Sequence, residues 1–87
     1  MPTVFIPASL RKYTNHVHQL QIEARNVREV IEQLEIEFPG ISDRLCESGT
    51  LRPGLAVAVD SRVSSHGLLE KVNANSEVHF VPTVSGG

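Results

Sequence analysis

A chain of 87 residues, 40% hydrophobic and 21% charged, has the size and composition of one folded domain with a modest core, which excludes collagen-like, disordered and disulfide-stapled classes. A formal net charge of -2, with no Lys or Arg run longer than Arg11-Lys12, removes the electrostatic footprint expected of a nucleic-acid binder. No apolar run reaches the length of a bilayer span, and Met1-Pro2-Thr3 leads into a strand pattern instead of a signal peptide, so no membrane partner is expected and the expected location is cytoplasmic. Cys46 is the single cysteine, which rules out an internal disulfide.

Taken in chain order, Thr3-Val4-Phe5-Ile6-Pro7 is β-branched and aromatic, with Val4 and Ile6 on one face, Phe5 on the other, and Pro7 ending the strand. His18 to Ala24 alternates apolar and polar residues, with Leu20, Ile22 and Ala24 in phase, and is expected to return as the second arm of a hairpin. The intervening residues carry no Asn-Gly or Asp-Gly turn that would set the register. A helix then follows: Asn26 caps it, Glu29 completes a capping box, Val27, Val30, Ile31, Leu34 and Phe38 recur at helical spacing, and Pro39-Gly40 stops it. Ile36 falls on the opposite side of that helix, to be exposed or covered by a later loop.

Ile41 to Leu45 is read as a short second helical turn and Glu47 to Gly54 as a loop. Leu55-Ala56-Val57-Ala58-Val59, apolar throughout, reads as a central strand; Asp60-Ser61 turns the chain into a short edge strand at Arg62-Val63-Ser64, and Ser65 to Gly67 loops onward to Leu68-Leu69. Asn73 to Ser76 is a turn that launches the last strand, Glu77 to Val81, with Val78 and Phe80 facing the core and His79 and Val81 facing out. Pro82 is expected to end the ladder, so that residues 1–82 form the domain and 83–87 an extended arm. One-faced strands beside a one-faced helix pack as two layers, an α+β fold.

Two closing glycines, Gly86-Gly87, add nothing to a core, since glycine loses the most backbone entropy on ordering and brings no side chain to bury. A backbone without side chains suits passage through a narrow channel. With that tail, the order of elements resembles a β-grasp, or ubiquitin-like, domain, with a mixed four- to five-stranded sheet on one main helix. It is most similar to the sulfur-carrier branch (the MoaD, ThiS and CysO types), on Val4-Phe5-Ile6-Pro7 with Leu10-Arg11, on Phe38-Pro39-Gly40-Ile41-Ser42-Asp43-Arg44-Leu45, and on Phe80-Val81-Pro82-Thr83-Val84-Ser85-Gly86-Gly87. The Phe38 to Leu45 run is nearest the CysO type. Asn75-Ser76 replaces a common Gly-Asp, and Ser85 a common alanine.

The resemblance implies a protein co-substrate rather than an enzyme. A ubiquitin-activating-type adenylyltransferase using ATP and Mg²⁺ would adenylate the Gly87 carboxylate, and sulfur would then displace AMP to leave a thiocarboxylate, with Gly86 as the unhindered approach. The sulfur would pass to a partner synthase, either a PLP-dependent cysteine synthase or the molybdopterin synthase large subunit, with no bound cofactor or metal in the carrier, which is expected to be a monomer when free. The cysteine route is favoured by the Phe38 to Leu45 match; a molybdopterin-synthase subunit, a modifier conjugated to lysines through Gly87, and a plain binding module stay as alternatives. Phe5, His79, Val81, Pro82 and Val84 are the candidate partner-binding residues, because an apolar patch beside a reactive arm is where docking energy would arise. Elsewhere the bland readings prevail: His16 and His18 lack further ligands at metal-site spacing, Cys46 reads as a small buried hydrophobe, Glu29, Glu32, Glu35 and Glu37 as a solvated helix face, and Asp43-Arg44 as a surface pair.

Overall fold

A computed structural model describes residues 1–83 of the chain. Its frame is a mixed five-stranded sheet in the order β2-β1-β7-β5-β6, formed by β1 (Thr3–Phe5), β2 (Gln19–Gln21), β5 (Leu55–Val59), β6 (Arg62–Val63) and β7 (Glu77–Pro82). The first and last strands run parallel at its centre, Val4 beside Val78 and Phe5 beside His79, while every other pairing is antiparallel. One face carries Val4, Ile6, Val57, Val59, Val78 and Phe80, all buried. Against it lies α1 (Val27–Glu37), which buries Val27, Val30, Ile31 and Leu34. Ile41 and Leu45, at the start and end of α2 (Ser42–Leu45), close the core beyond the end of α1. This is the two-layer β-grasp that the order of elements implied.

Both ends of α1 follow from the sequence. The Asn26 side chain accepts a hydrogen bond from the Glu29 backbone N–H at 2.8 Å, satisfying one of the otherwise unpartnered first-turn donors. The Glu29 carboxylate reaches one residue further back than in the usual capping box and accepts from Arg25 N–H at 2.8 Å. At the other end Gly40, with φ of +101°, turns the chain through a conformation that glycine adopts without steric cost. The Glu35 carboxylate then accepts from Gly40 N–H at 2.9 Å and from Ser42 N–H at 2.9 Å, which fixes α2 to the end of α1. Both bonds favour the ionised form and hold the Glu35 pKa below the ordinary carboxylate value. Ile36 is exposed.

Several boundaries differ from the sequence reading. The second strand pairs only over Gln19–Gln21, because β1 offers three residues of partner, although Ile22 and Ala24 remain buried past its end. The polar connection before it holds a 3₁₀ helix, Ala8–Tyr13, that buries no residue and so leaves no hydrophobic period to read. The segment expected as a loop from Glu47 to Gly54 contains a hairpin, β3 (Cys46–Glu47) with β4 (Thr50–Leu51). Ser48 and Gly49 both take positive φ there, the geometry of a primed two-residue turn. Asp60 and Ser61 do the same between β5 and β6.

Pro82 is the last paired residue of β7, as expected. It lies opposite Leu55 in a pair flanked by the Thr83 N–H to Gly54 C=O bond of 2.9 Å, so its missing N–H falls where no inter-strand bond is required. Thr83, the first residue expected to leave the body, is thus tied to it.

Candidate functional site

The outer face of the sheet is set by parity. In β7, Val78 and Phe80 point into the core, which turns His79 and Val81 outward. In β1, Val4 and Ile6 point inward and Phe5 outward. The parallel register then brings Phe5 beside His79, and their rings stack with centroids 4.1 Å apart and planes 5° apart. Ala58 is the other neighbour of His79, and Val63 is the neighbour of Ala58, so the row continues to the β6 edge. Gln19 extends it on the other side through its pairing with Phe5. Val81 sits one level along, beside Ala56.

Apolar and polar groups share this face: Thr3, Gln19, Gln21, Glu77 and His79 have the same parity as Phe5, Ala56, Ala58, Val63 and Val81. The Glu77 carboxylate lies on the same side of β7, with Oε1 3.7 Å from His79 Nε2. Val63, on the edge strand, is 68% exposed. A flat aromatic stack beside small and aliphatic side chains can pack against a complementary protein surface.

Of the predicted partner-binding residues, Phe5, His79 and Val81 share this face. Pro82 has the opposite parity, with Leu55 as its neighbour, at the end of the strand. Val84, Gly86 and Gly87 lie outside the described residues. Sequence reasoning left open which parity of residues 55–59 joins this face; the β5–β7 register assigns it to Ala56 and Ala58. Val63 was placed only as part of an edge strand, and no short-range signal links it to His79.

Away from the sheet face, Cys46 is half-buried at the margin of the core, where desolvation pushes its thiol pKa up, the opposite of an activated nucleophile. Among the described residues no three His, Cys, Asp or Glu side chains gather as a metal site, and no helix is long and apolar enough to cross a membrane.

A parallel central strand pair in a mixed five-stranded sheet, with a single long helix across one face, defines a ubiquitin-like β-grasp protein. Residues 4–87 match the family model described as the ThiS family. The chain belongs to that family of ubiquitin-like sulfur carriers. Among curated proteins no sequence matches it. Among solved structures it is similar to a chain of the Amycolatopsis orientalis BexX/CysO complex, at 29% identity and a TM-score of 0.90, covering 100% of both chains. It is also similar to Mycobacterium tuberculosis CysO, described as an antigen, at 28% identity and a TM-score of 0.88, covering 97% of this chain and 100% of that one. The small archaeal modifier protein 1 of Methanosarcina acetivorans shares the fold, at 22% identity and a TM-score of 0.80, covering 99% of this chain and 95% of that one.

Proposed function

We propose that this protein carries sulfur as a Gly87 thiocarboxylate in a cysteine-type biosynthetic route. The observation that carries the reading is the family match, which runs unbroken from Val4 through Gly87; the full-length similarity to a chain of the BexX/CysO complex favours the cysteine type. A terminal carboxylate has a reference pKa of about 3.3–3.7 and is ionised at neutral pH, so its carbon is a poor electrophile. Activation falls to a ubiquitin-activating-type adenylyltransferase. The Gly87 carboxylate oxygen attacks the α-phosphorus of Mg²⁺-bound ATP and pyrophosphate leaves. A sulfur nucleophile then adds to the acyl carbon and AMP departs with its bonding electrons.

The division of labour follows from what this chain offers. Gly86 and Gly87 bring no Cβ to a narrow channel, and the partner supplies charge stabilisation at the reacting carbonyl. Phe5, His79 and Val81 supply the docking surface, with Pro82 and Val84 along the approach. The sulfur-accepting partner is a PLP-dependent synthase.

The test is intact mass spectrometry of the full chain after incubation with the activating enzyme, Mg²⁺-ATP and sulfide. The expected product has one oxygen replaced by sulfur at Gly87, and an unchanged mass with an enzyme competent on another carrier refutes the reading. Capture of the thiocarboxylated chain by a larger pterin-binding subunit would reassign the route to molybdopterin. A ladder of lysine adducts that vanishes on deletion of Gly86-Gly87, without thiocarboxylate, would make the protein a modifier instead.

A further inference from the structure

Two cations converge on one tyrosine at the end of the sheet from which the tail departs. Lys12 Nζ lies 5.3 Å from the centroid of the Tyr13 ring, and Arg44 Cζ lies 4.9 Å from it. The ring's electron-rich face attracts each cation, but the two positive charges repel each other, and among the described residues neither makes an ion pair with a carboxylate. The ion pairs among the described residues are Arg52–Glu47 and His79–Glu77, and neither includes Lys12 or Arg44. Asp43, next in sequence to Arg44, is exposed and makes no ion pair. Arg11 is turned inward, its Nε donating to the Ile6 carbonyl at 3.1 Å.

The topology places this cluster. Phe5, the last residue of β1, stands beside His79 in parallel register, so the chain entering the 3₁₀ helix Ala8–Tyr13 leaves β1 at the same end of the sheet at which β7 finishes. Arg44 belongs to α2, which is held to the same end: Arg52 N–H donates to Leu45 C=O at 2.9 Å and Arg52 Nε to Asp43 C=O at 2.9 Å. Gly54, two residues on, accepts from Thr83 N–H. Gly87 lies four residues beyond Thr83, a separation of at most about 14 Å when fully extended. An enzyme that receives Gly87 must therefore lay its surface over this end of the body.

We infer that Lys12, Tyr13 and Arg44 form a basic docking edge that meets an acidic rim around the tail-binding channel of the activating enzyme. The inference rests on the reading of Gly87 as the reacting residue and adds the chemistry of the surface that receives it. Tyr13 holds the two cations in place against its ring, and the edge orients the carrier as it approaches. Such rim charges act mainly on encounter rate and salt dependence.

The experiment uses the full chain and the enzyme that thiocarboxylates it, with kcat/KM for Gly87 loading measured at increasing NaCl. Lys12→Glu with Arg44→Glu is expected to lower kcat/KM at low salt by about tenfold or more, to keep kcat at saturating carrier, and to approach wild type as salt rises. Lys71→Glu, beside Asn26 at the start of α1, is expected to load normally. The single Lys12→Glu change, on an exposed side chain, should give a smaller loss with the same salt dependence, which keeps the test valid if the Arg44 variant folds poorly. Unaltered loading by the double variant, or a loss that salt does not reduce, overturns the docking edge alone. Absence of any thiocarboxylate on the wild-type chain overturns the functional reading and the docking edge with it.

Discussion

Phe5 and Ile6 are adjacent in sequence and face opposite sides of the sheet, so two substitutions one residue apart can separate docking from folding. Ile6 is 2% exposed and sits in the core cluster; Ile6→Ala removes buried methylenes and costs about 2–5 kcal/mol of stability. In a domain of this size each kcal/mol lowers Tm by about 4–8 °C. Phe5 is only half-buried, and its described aromatic partner is the His79 ring 4.1 Å away. Loss of that stack costs about 0.5–1.5 kcal/mol, a small part of a total stability of about 5–15 kcal/mol. As an anchor of a protein interface, the same ring is worth at least about 2 kcal/mol of affinity, or roughly thirtyfold in Kd. The assay pairs thermal unfolding of wild type, Phe5→Ala and Ile6→Ala with calorimetric titration of each against the activating enzyme. The reasoning predicts that Phe5→Ala loses binding at a cost in Tm of about 2–12 °C, smaller than that of Ile6→Ala, and that Ile6→Ala keeps its binding when measured well below its Tm. Phe5→Ala binding within about twofold of wild type, or a loss of binding that tracks Tm across both variants, would refute it.

Asn26→Ala removes the accepted Glu29 N–H bond and should lower stability by about 1 kcal/mol, seen in chemical denaturation as a reduced midpoint with unchanged slope. The Asp60 carboxylate accepts from Glu77 N–H at 2.9 Å and from Ser76 Oγ–H at 2.9 Å, and these bonds hold its pKa below the ordinary value. Because the folded-state pKa is the lower one, the stabilisation is present above the unfolded value and is lost as pH falls through the folded one. Wild type minus Asp60→Asn should therefore show a stability difference that declines below about pH 4 in urea titrations, and a difference constant with pH would contradict the assignment. Cys46, with its thiol pKa raised by burial, should react with a thiolate-selective reagent at neutral pH more slowly than a free cysteine peptide does, and equal rates would place it in an activating environment.

What the sequence made legible was governed by local rules. Asn26, the spacing from Val27 to Leu34 and the Pro39-Gly40 stop are consequences of helix geometry within a few residues, and α1 follows them. Parity did the same for β7, where Val78 and Phe80 inside require His79 outside. The juxtaposition of Phe5 and His79 was not legible as a stack, because it depends on the parallel register of the first and last strands, a pairing across nearly the whole chain that no turn residue specifies. The β3–β4 hairpin gave no signal because each arm is two residues long, too short for an alternation to register. The pairing of Tyr13 with Arg44 joins a 3₁₀ helix without buried residues to a four-residue helix, and neither has a pattern that would announce the other.

β7 joins these parts mechanically. Its backbone is bonded to β1 on one side and to β5 on the other, while its side chains alternate between the core and the outer face. His79 is consequently held by the burial of Val78 and Phe80 as much as by its own stack with Phe5. The ladder runs on through Pro82, at a level where proline forfeits no bond, and closes with Thr83 on Gly54. A partner seated on Phe5 and His79 therefore finds Thr83 at a position fixed by sheet geometry, and the distance left to Gly87 is set by the four residues that follow. Under the proposed function, this coupling would let recognition of the face stand for delivery of the tail, because a slip of one residue in β7 would turn His79 into the core and move Thr83 off Gly54 together.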